Sequence, residues 1–119
     1  MRKNLTKLEI IRKKPDIDKV FRRGQSVSCR GMKLITAPNG LEFSRIIVIP
    51  VKHYGNSVER NRIRRQVKEF WRCSKEYLMS GFDFVFLVYP GKVSDHDKQV
   101  KKLINLCVEA GVYLSIPEK

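Results

Sequence analysis

The chain has 119 residues, 42% of them hydrophobic, which gives room for one folded domain (1–119) and excludes an extended disordered tail. It carries 25 Lys and Arg against 12 Asp and Glu, a net charge of +13, which points to a polyanionic partner. No apolar run approaches the roughly 18 residues of a membrane span, and the N-terminus lacks a signal peptide's apolar stretch, so a cytoplasmic location and no membrane partner are expected.

Lys14-Pro15-Asp16 reads as a helix start, with Pro15 at the first helical position and Asp16 favourable in the first turn. Ile17, Val20 and Phe21 follow at helical spacing, and Gly24 ends the segment. Two extended runs follow, roughly 27–37 and 41–50, joined at Pro38-Asn39-Gly40. Asn-Gly between apolar runs predicts a hairpin there, since both residues accept positive φ. Ile46-Ile47-Val48-Ile49 is a continuous β-branched run, as expected of a strand buried on both faces, and Pro50 should end its pairing. Ser57 is the expected N-cap of a helix over about 58–75. After Gly81, Phe82–Tyr89 reads as a strand stopped by Pro90-Gly91. Ser94 or Asp95 caps a last helix to about Ala110, with an apolar stripe of Val100, Leu103, Ile104, Cys107 and Val108, and Gly111 closes it.

The fold class is therefore α/β (α+β): a two-layer sandwich with a mixed sheet of about four strands and three helices. Its element order is α-β-β-(β)-α-β-α, with 24–50 supplying two or three strands.

The charge is not spread evenly. Residues 2–23 and 52–75 each carry a net +6, whereas 24–51 carry +2 and 76–119 carry −1. Two basic blocks beside a near-neutral third suit nucleic acid better than a membrane surface, because neither block interleaves bulky apolar residues as a membrane-lying helix does. Cys29, Cys73 and Cys107 are far apart and form no C-x-x-C pair, so neither a disulfide framework nor a zinc site is expected.

The second basic block repays winding as a helix. At about 100° per residue from Val58, Ile63, Val67, Phe70 and Trp71 fall within roughly 120–220°. Arg62, Arg64, Arg65, Lys68, Arg72 and Asn61 fall on the opposite arc. One face docks on the sheet, which makes Phe70 and Trp71 core residues. The other is a basic stripe with Glu69 its only acid and Glu59 beside it. A solvated helix face normally intersperses signs at i, i+4, whereas crowded guanidinium groups await an anion. Arginine is also the residue suited to bidentate phosphate contact. Phe21 stands beside Arg22 and Arg23 and reads equally as core or as a base-stacking platform.

The run Lys52-His53-Tyr54-Gly55-Asn56-Ser57-Val58-Glu59-Arg60-Asn61-Arg62-Ile63-Arg64-Arg65 resembles the signature of the protein subunit of bacterial ribonuclease P, whose helix is marked by Arg-Asn-Arg. The resemblance extends to the Leu-Thr-Lys opening, Val-Phe-Arg-Arg-Gly at the end of the first helix, and Gly-Phe-Asp-Phe-Val before the last helix. It implies a left-handed crossover through the Arg-Asn-Arg helix, opposite to the usual hand. It implies partnership with a catalytic RNA and with precursor tRNA, whose 5′ leader the complex removes. The protein would be a subunit of a ribonucleoprotein endoribonuclease with no catalytic side chain and no metal of its own, magnesium being held by the RNA. By the resemblance, Lys52, His53, Asn56, Arg60, Asn61, Arg62, Arg64, Arg65, Lys68 and Arg72 would meet RNA. A cleft between the first helix and the sheet would take the leader through Phe21, Lys19, Arg22, Arg23 and Lys33. The chain departs from its relatives at Ile17, where a second aromatic often stands, and at Ile35, where some have a sheet-face aromatic.

Two other classes compete. An independent nuclease would need His53, His96, Asp95 and Asp97, but Asp95 opens a helix and consecutive residues there point apart. A ribosomal or other structural rRNA-binding protein would share the charge and size, though not the Arg-Asn-Arg signature. A helix-turn-helix DNA reader fits less well than either, because strands flank the basic helix and leave no preceding helix to cross the duplex backbone.

Overall fold

The computed structural model describes residues 9–29, 31–52, 55–90 and 96–113, the side chains of residues 75 and 96–98 excepted. The elements are α1 (Lys14–Arg23), β1 (Gln25–Cys29), β2 (Met32–Pro38), β3 (Arg45–Pro50), α2 (Ser57–Ser74), a 3-10 turn (Lys75–Tyr77), β4 (Phe82–Val88) and α3 (His96–Glu109). Among the described residues they make a four-stranded mixed sheet with three helices, the α+β architecture expected, and the 24–50 region supplies three strands.

The sheet order is β1-β2-β4-β3, antiparallel across the first two pairs and parallel between β4 and β3. This corrects the expected hairpin at Asn39-Gly40. β2 and β3 do not pair; β4 lies between them, and the hairpin is β1–β2. The physical reason is burial. Phe84, Val85 and Phe86 are fully buried, and a strand that apolar on both faces gains most at the centre of the sheet. Gly40 does adopt positive φ, +73°. Asn39 does not; its side-chain amide donates to the Asp83 carboxylate on β4 at 2.9 Å and to the Phe43 carbonyl at 3.1 Å. The dipeptide thus shapes a connection that steps past β4.

β3 also differs from expectation. Ile46 and Val48 are buried, but Ile47 and Ile49 are only half-buried, so the strand alternates. It lies at the margin of the sheet, where Ile10 bridges to it and the Ile11 N–H donates to the Ile46 carbonyl.

The two faces of the sheet are covered unequally. One carries Met32, Leu34, Ile46, Val48, Phe84, Phe86 and Val88, packed against Ile63, Val67, Phe70 and Trp71 of α2 and Leu103, Leu106 and Cys107 of α3. Trp71 meets Phe84 edge-on, ring centroids 4.8 Å apart, so the expected core role of Phe70 and Trp71 holds. In α3, Leu106 is buried and Val108 is 55% exposed, which rotates the expected stripe slightly. The expected Ser94 or Asp95 cap lies outside the described residues.

Among the described residues, the other face is covered by α1 and the segment just before it, Val20 and Ile11 packing against Ile35, Ala37 and Val85. A three-way clamp seats one end of α1. Arg45 donates from Nε and Nη2 to the buried Asp83 carboxylate at 2.9 and 2.7 Å, and from Nη1 to Asp16 of α1 at 3.4 Å. The bond to Asp83 raises the already high pKa of Arg45, so the guanidinium stays charged. The other end is fixed by close approach. A β-carbon on Gly24 would collide with the Val20 carbonyl and lie 2.6 Å from Ile35 Cγ2 and 2.9 Å from the Thr36 carbonyl, so only glycine lets helix meet strand there.

Candidate nucleic-acid interface

The connection into α2 is built before its charges are displayed. Gly55, at φ +153°, occupies a conformation that favours glycine, and a β-carbon there would strike the Glu59 side chain. Asn56 Oδ1 accepts from the Glu59 N–H at 2.9 Å, while Glu59 Oε1 accepts from the Asn56 N–H at 3.1 Å. This reciprocal pair is a capping box, so Asn56 and not Ser57 caps the helix. Arg60 then turns back toward the sheet. Its Nη1 donates to the Val51 carbonyl at 2.9 Å and its Nη2 to the Pro50 carbonyl at 3.1 Å.

Two expected RNA ligands therefore have other roles in the free protein. Asn56 is a cap, and Arg60 is engaged by main-chain oxygens at the end of β3. The capping box was legible as Asn-x-x-Glu. Arg60 was legible too: it falls at about 200° on the helical wheel, inside the apolar arc.

The remaining predicted residues of α2 stand together on its outer face. Asn61, Arg64, Arg65, Lys68, Glu69 and Arg72 line a shallow, open depression of about 410 Å³, with exposed Arg62 on the same outer arc. Arg64 donates to Asn61 Oδ1 at 3.2 Å, which holds its guanidinium over the depression. Arg72 is ion-paired with Glu69, which raises its pKa. The exposed Lys52 is the second residue after β3. His53 lies outside the described residues, as do Asp95 and the side chains of His96 and Asp97. Among the described residues no three His, Cys, Asp or Glu side chains gather as metal ligands.

The second region is the half-open sheet face. α1 crosses it near Ile35, Ala37, Asp83 and Arg45, which leaves Lys33, Ile47, Ile49 and Leu87 on the same face half-buried. Phe21 is 44% exposed at the flank of α1, which resolves its ambiguity in favour of an exposed ring. Ile35, by contrast, is buried in the small core, and Ile17 packs against it. The exposed Lys19 and Arg22 turn away from the docked side by the winding of α1, whereas Arg23 flanks it. The apolar strip of Ile47, Ile49 and Leu87 was missed, because a β-branched run reads as doubly buried until the covering layer is known.

An α+β sheet that buries one face under two helices, and carries a cationic helix outside, defines a small protein built to meet a polyanion. The comparisons are specific. The family model Ribonuclease P matches residues 5–110. The ribonuclease P protein component of Clostridium botulinum (strain Loch Maree / Type A3) is 38% identical over 108 residues, covering 87% of this chain and 95% of that protein. That of Petrotoga mobilis is 36% identical over 81 residues, 68% of this chain and 69% of the relative. The RNase P protein of Thermotoga maritima superposes with a TM-score of 0.76 at 27% identity, over 85% of this chain and 96% of that one. A Staphylococcus aureus RNase P protein mutant shares the fold, with a TM-score of 0.82 at 22% identity over 90% and 92% of the two chains. The chain belongs to the ribonuclease P protein family.

Proposed function

We propose that this chain binds the catalytic RNA of ribonuclease P through the outer face of α2 and receives the 5′ leader of precursor tRNA on the half-open sheet face. It thereby promotes endonucleolytic removal of the leader in the cytoplasm. One observation carries the reading: Arg62, Arg64, Arg65, Lys68 and Arg72 share one face of one helix with a single acid, Glu69, among them. Such a surface gains affinity by releasing counterions from phosphates, and guanidinium groups add bidentate contacts.

The leader reading draws on the second region. An exposed aromatic at Phe21, a half-buried Lys33 and the strip of Ile47, Ile49 and Leu87 offer stacking and apolar contact to unpaired bases, with charge for their phosphates. Arg23 at the flank adds a phosphate contact. Lys19 and Arg22, on the outer side of α1, serve longer leaders or the RNA subunit.

Magnesium is assigned to the RNA, where it would activate water and stabilise the departing oxygen. A cationic helix face repels a divalent ion, so the protein's part is binding and orientation.

The test is cleavage of a precursor tRNA at low magnesium with protein alone, ribonuclease P RNA alone, and both. Efficient 5′-leader removal only with both supports the subunit role and chemistry on the RNA. If the protein adds nothing to the RNA, the reading fails, and ribosomal RNA becomes the next partner to try. Cleavage by protein alone would return His53 and Asp95–Asp97 to consideration.

A further inference from the structure

Arg60 opens the Arg-Asn-Arg run, yet its guanidinium is turned inward, away from the face its neighbours share. Nη1 and Nη2 reach the carbonyls of Val51 and Pro50, the first residues after and at the end of β3. Those two carbonyls sit where Pro50 ends regular pairing and the chain leaves the sheet. Val51 is itself held, its N–H donating to the Val88 carbonyl at the end of β4 at 2.9 Å. A fork of two charge-assisted hydrogen bonds therefore joins the first turn of α2 to the common end of the two central-to-edge strands. The capping box of Asn56 and Glu59 closes the same turn from the other side.

We infer that Arg60 is a positioning residue and not a phosphate ligand: it locks the rotation of the first turn of α2 against β3, which aims Asn61 and Arg62 outward. This deepens the proposed RNA-binding function and rests on it. The physical case is geometric. The planar fork reaches the two adjacent carbonyls from two separate nitrogens held in fixed geometry; a lysine carries its three donors on one nitrogen at the end of a different stem and does not reproduce that span. Were Arg60 to swing out to a phosphate, two carbonyls would lose their donors, and Arg60 would have to leave the sheet side of the helix. The inner position at about 200° on the wheel, between Ile63 and Trp71, makes that swing a rotation of the whole turn.

Two measurements separate the roles. The first uses the unaltered protein: arginine-selective labelling with a dicarbonyl reagent, read by mass spectrometry, with and without a ribonuclease P RNA transcript. Arg60 should react at least about fivefold more slowly than Arg62 and Arg65 in the free protein, as expected of a guanidinium whose donors are occupied. Adding RNA should protect Arg62 and Arg65 and leave the Arg60 rate unchanged. The second compares RNA affinity for Arg60→Lys and Arg60→Gln. A positioning role predicts that both weaken binding by a similar factor, about tenfold, because the lysine keeps the charge and loses the fork. The inference is overturned if Arg60 labels as fast as Arg62 and becomes protected by RNA. It is equally overturned if Arg60→Lys restores wild-type affinity where Arg60→Gln does not, or if both variants bind as tightly as wild type. An unaltered protein that binds the transcript no better than a neutral protein would instead defeat the functional reading itself, a result distinct from all of these.

Discussion

The two faces of the sheet teach different lessons from similar sequences. Phe84 and Phe86 point to one side and Val85 and Leu87 to the other, all from one apolar strand. The first side is sealed by α2 and α3, and its residues fall to near-zero exposure. Among the described residues, the second is crossed by the ten-residue α1 with Ile11 beside it, and beyond them its apolar residues stay half-exposed. Stability is concentrated on the sealed side, while the open side keeps apolar surface that a small domain would ordinarily bury. One face holds the fold; the other is the face to which the leader is assigned by proposal.

The largest effects should come from the sealed side. Trp71→Ala removes the ring that meets Phe84 and should lower unfolding free energy by about 3–5 kcal/mol in denaturant titrations. Leu87→Ala on the open face should cost only about 1–2 kcal/mol, since less of its area is removed from water. Equal losses would dissolve the contrast between the faces. Next is the clamp that seats α1. Asp83→Ala leaves Arg45 with Asp16 alone and should destabilise by about 2–3 kcal/mol, less than full burial would give because Arg45 is partly solvated.

A pH titration sharpens the comparison further. Burial among α3 and the sheet pushes the Cys107 thiol from its ordinary 9.0 up to about 12. The folded state keeps the proton and the unfolded state releases it, so stability is complete below pH 9 and falls as pH rises from 9 toward 12. The slope should reach at most about 1.4 kcal/mol per pH unit from this group, and Cys107→Ala should flatten it after its own constant loss. The smallest stability effects belong to α2's outer face. Arg62→Ala and Arg65→Ala should each stay within about 0.5 kcal/mol of wild type by thermal melting, while weakening RNA assembly. Failure of either variant to fold would mean that the core lies on the other side of α2.

Element identity and order could be read from the chain because periodicity and turn chemistry are local. Val67, Phe70 and Trp71 declared the inner face of α2, and Gly24 and Pro50 marked real boundaries. Strand order could not be read in the same way. Asn39-Gly40 sits between two apolar runs, as it would in a hairpin, and nothing near it reveals that β4, more than forty residues on, enters between them. The half-open face was hidden for the same reason, since Ile47 and Ile49 look like core until one knows that α1 packs over β2 and β4 and leaves β3 half-buried. Within the candidate site the basic stripe was plain, but the intramolecular partners of its first members were not anticipated. Asn56 and Arg60 were grouped with their neighbours by family resemblance, although the Asn-x-x-Glu spacing and the helical wheel both pointed inward.

The outer face of α2, with Lys52, is proposed as an extensive phosphate-binding surface. Its most direct test is the affinity for ribonuclease P RNA across a range of salt concentrations. Six phosphate contacts, from Lys52, Arg62, Arg64, Arg65, Lys68 and Arg72, predict a slope of log affinity against log salt of roughly −4 to −5. A slope shallower than about −2 would contradict it.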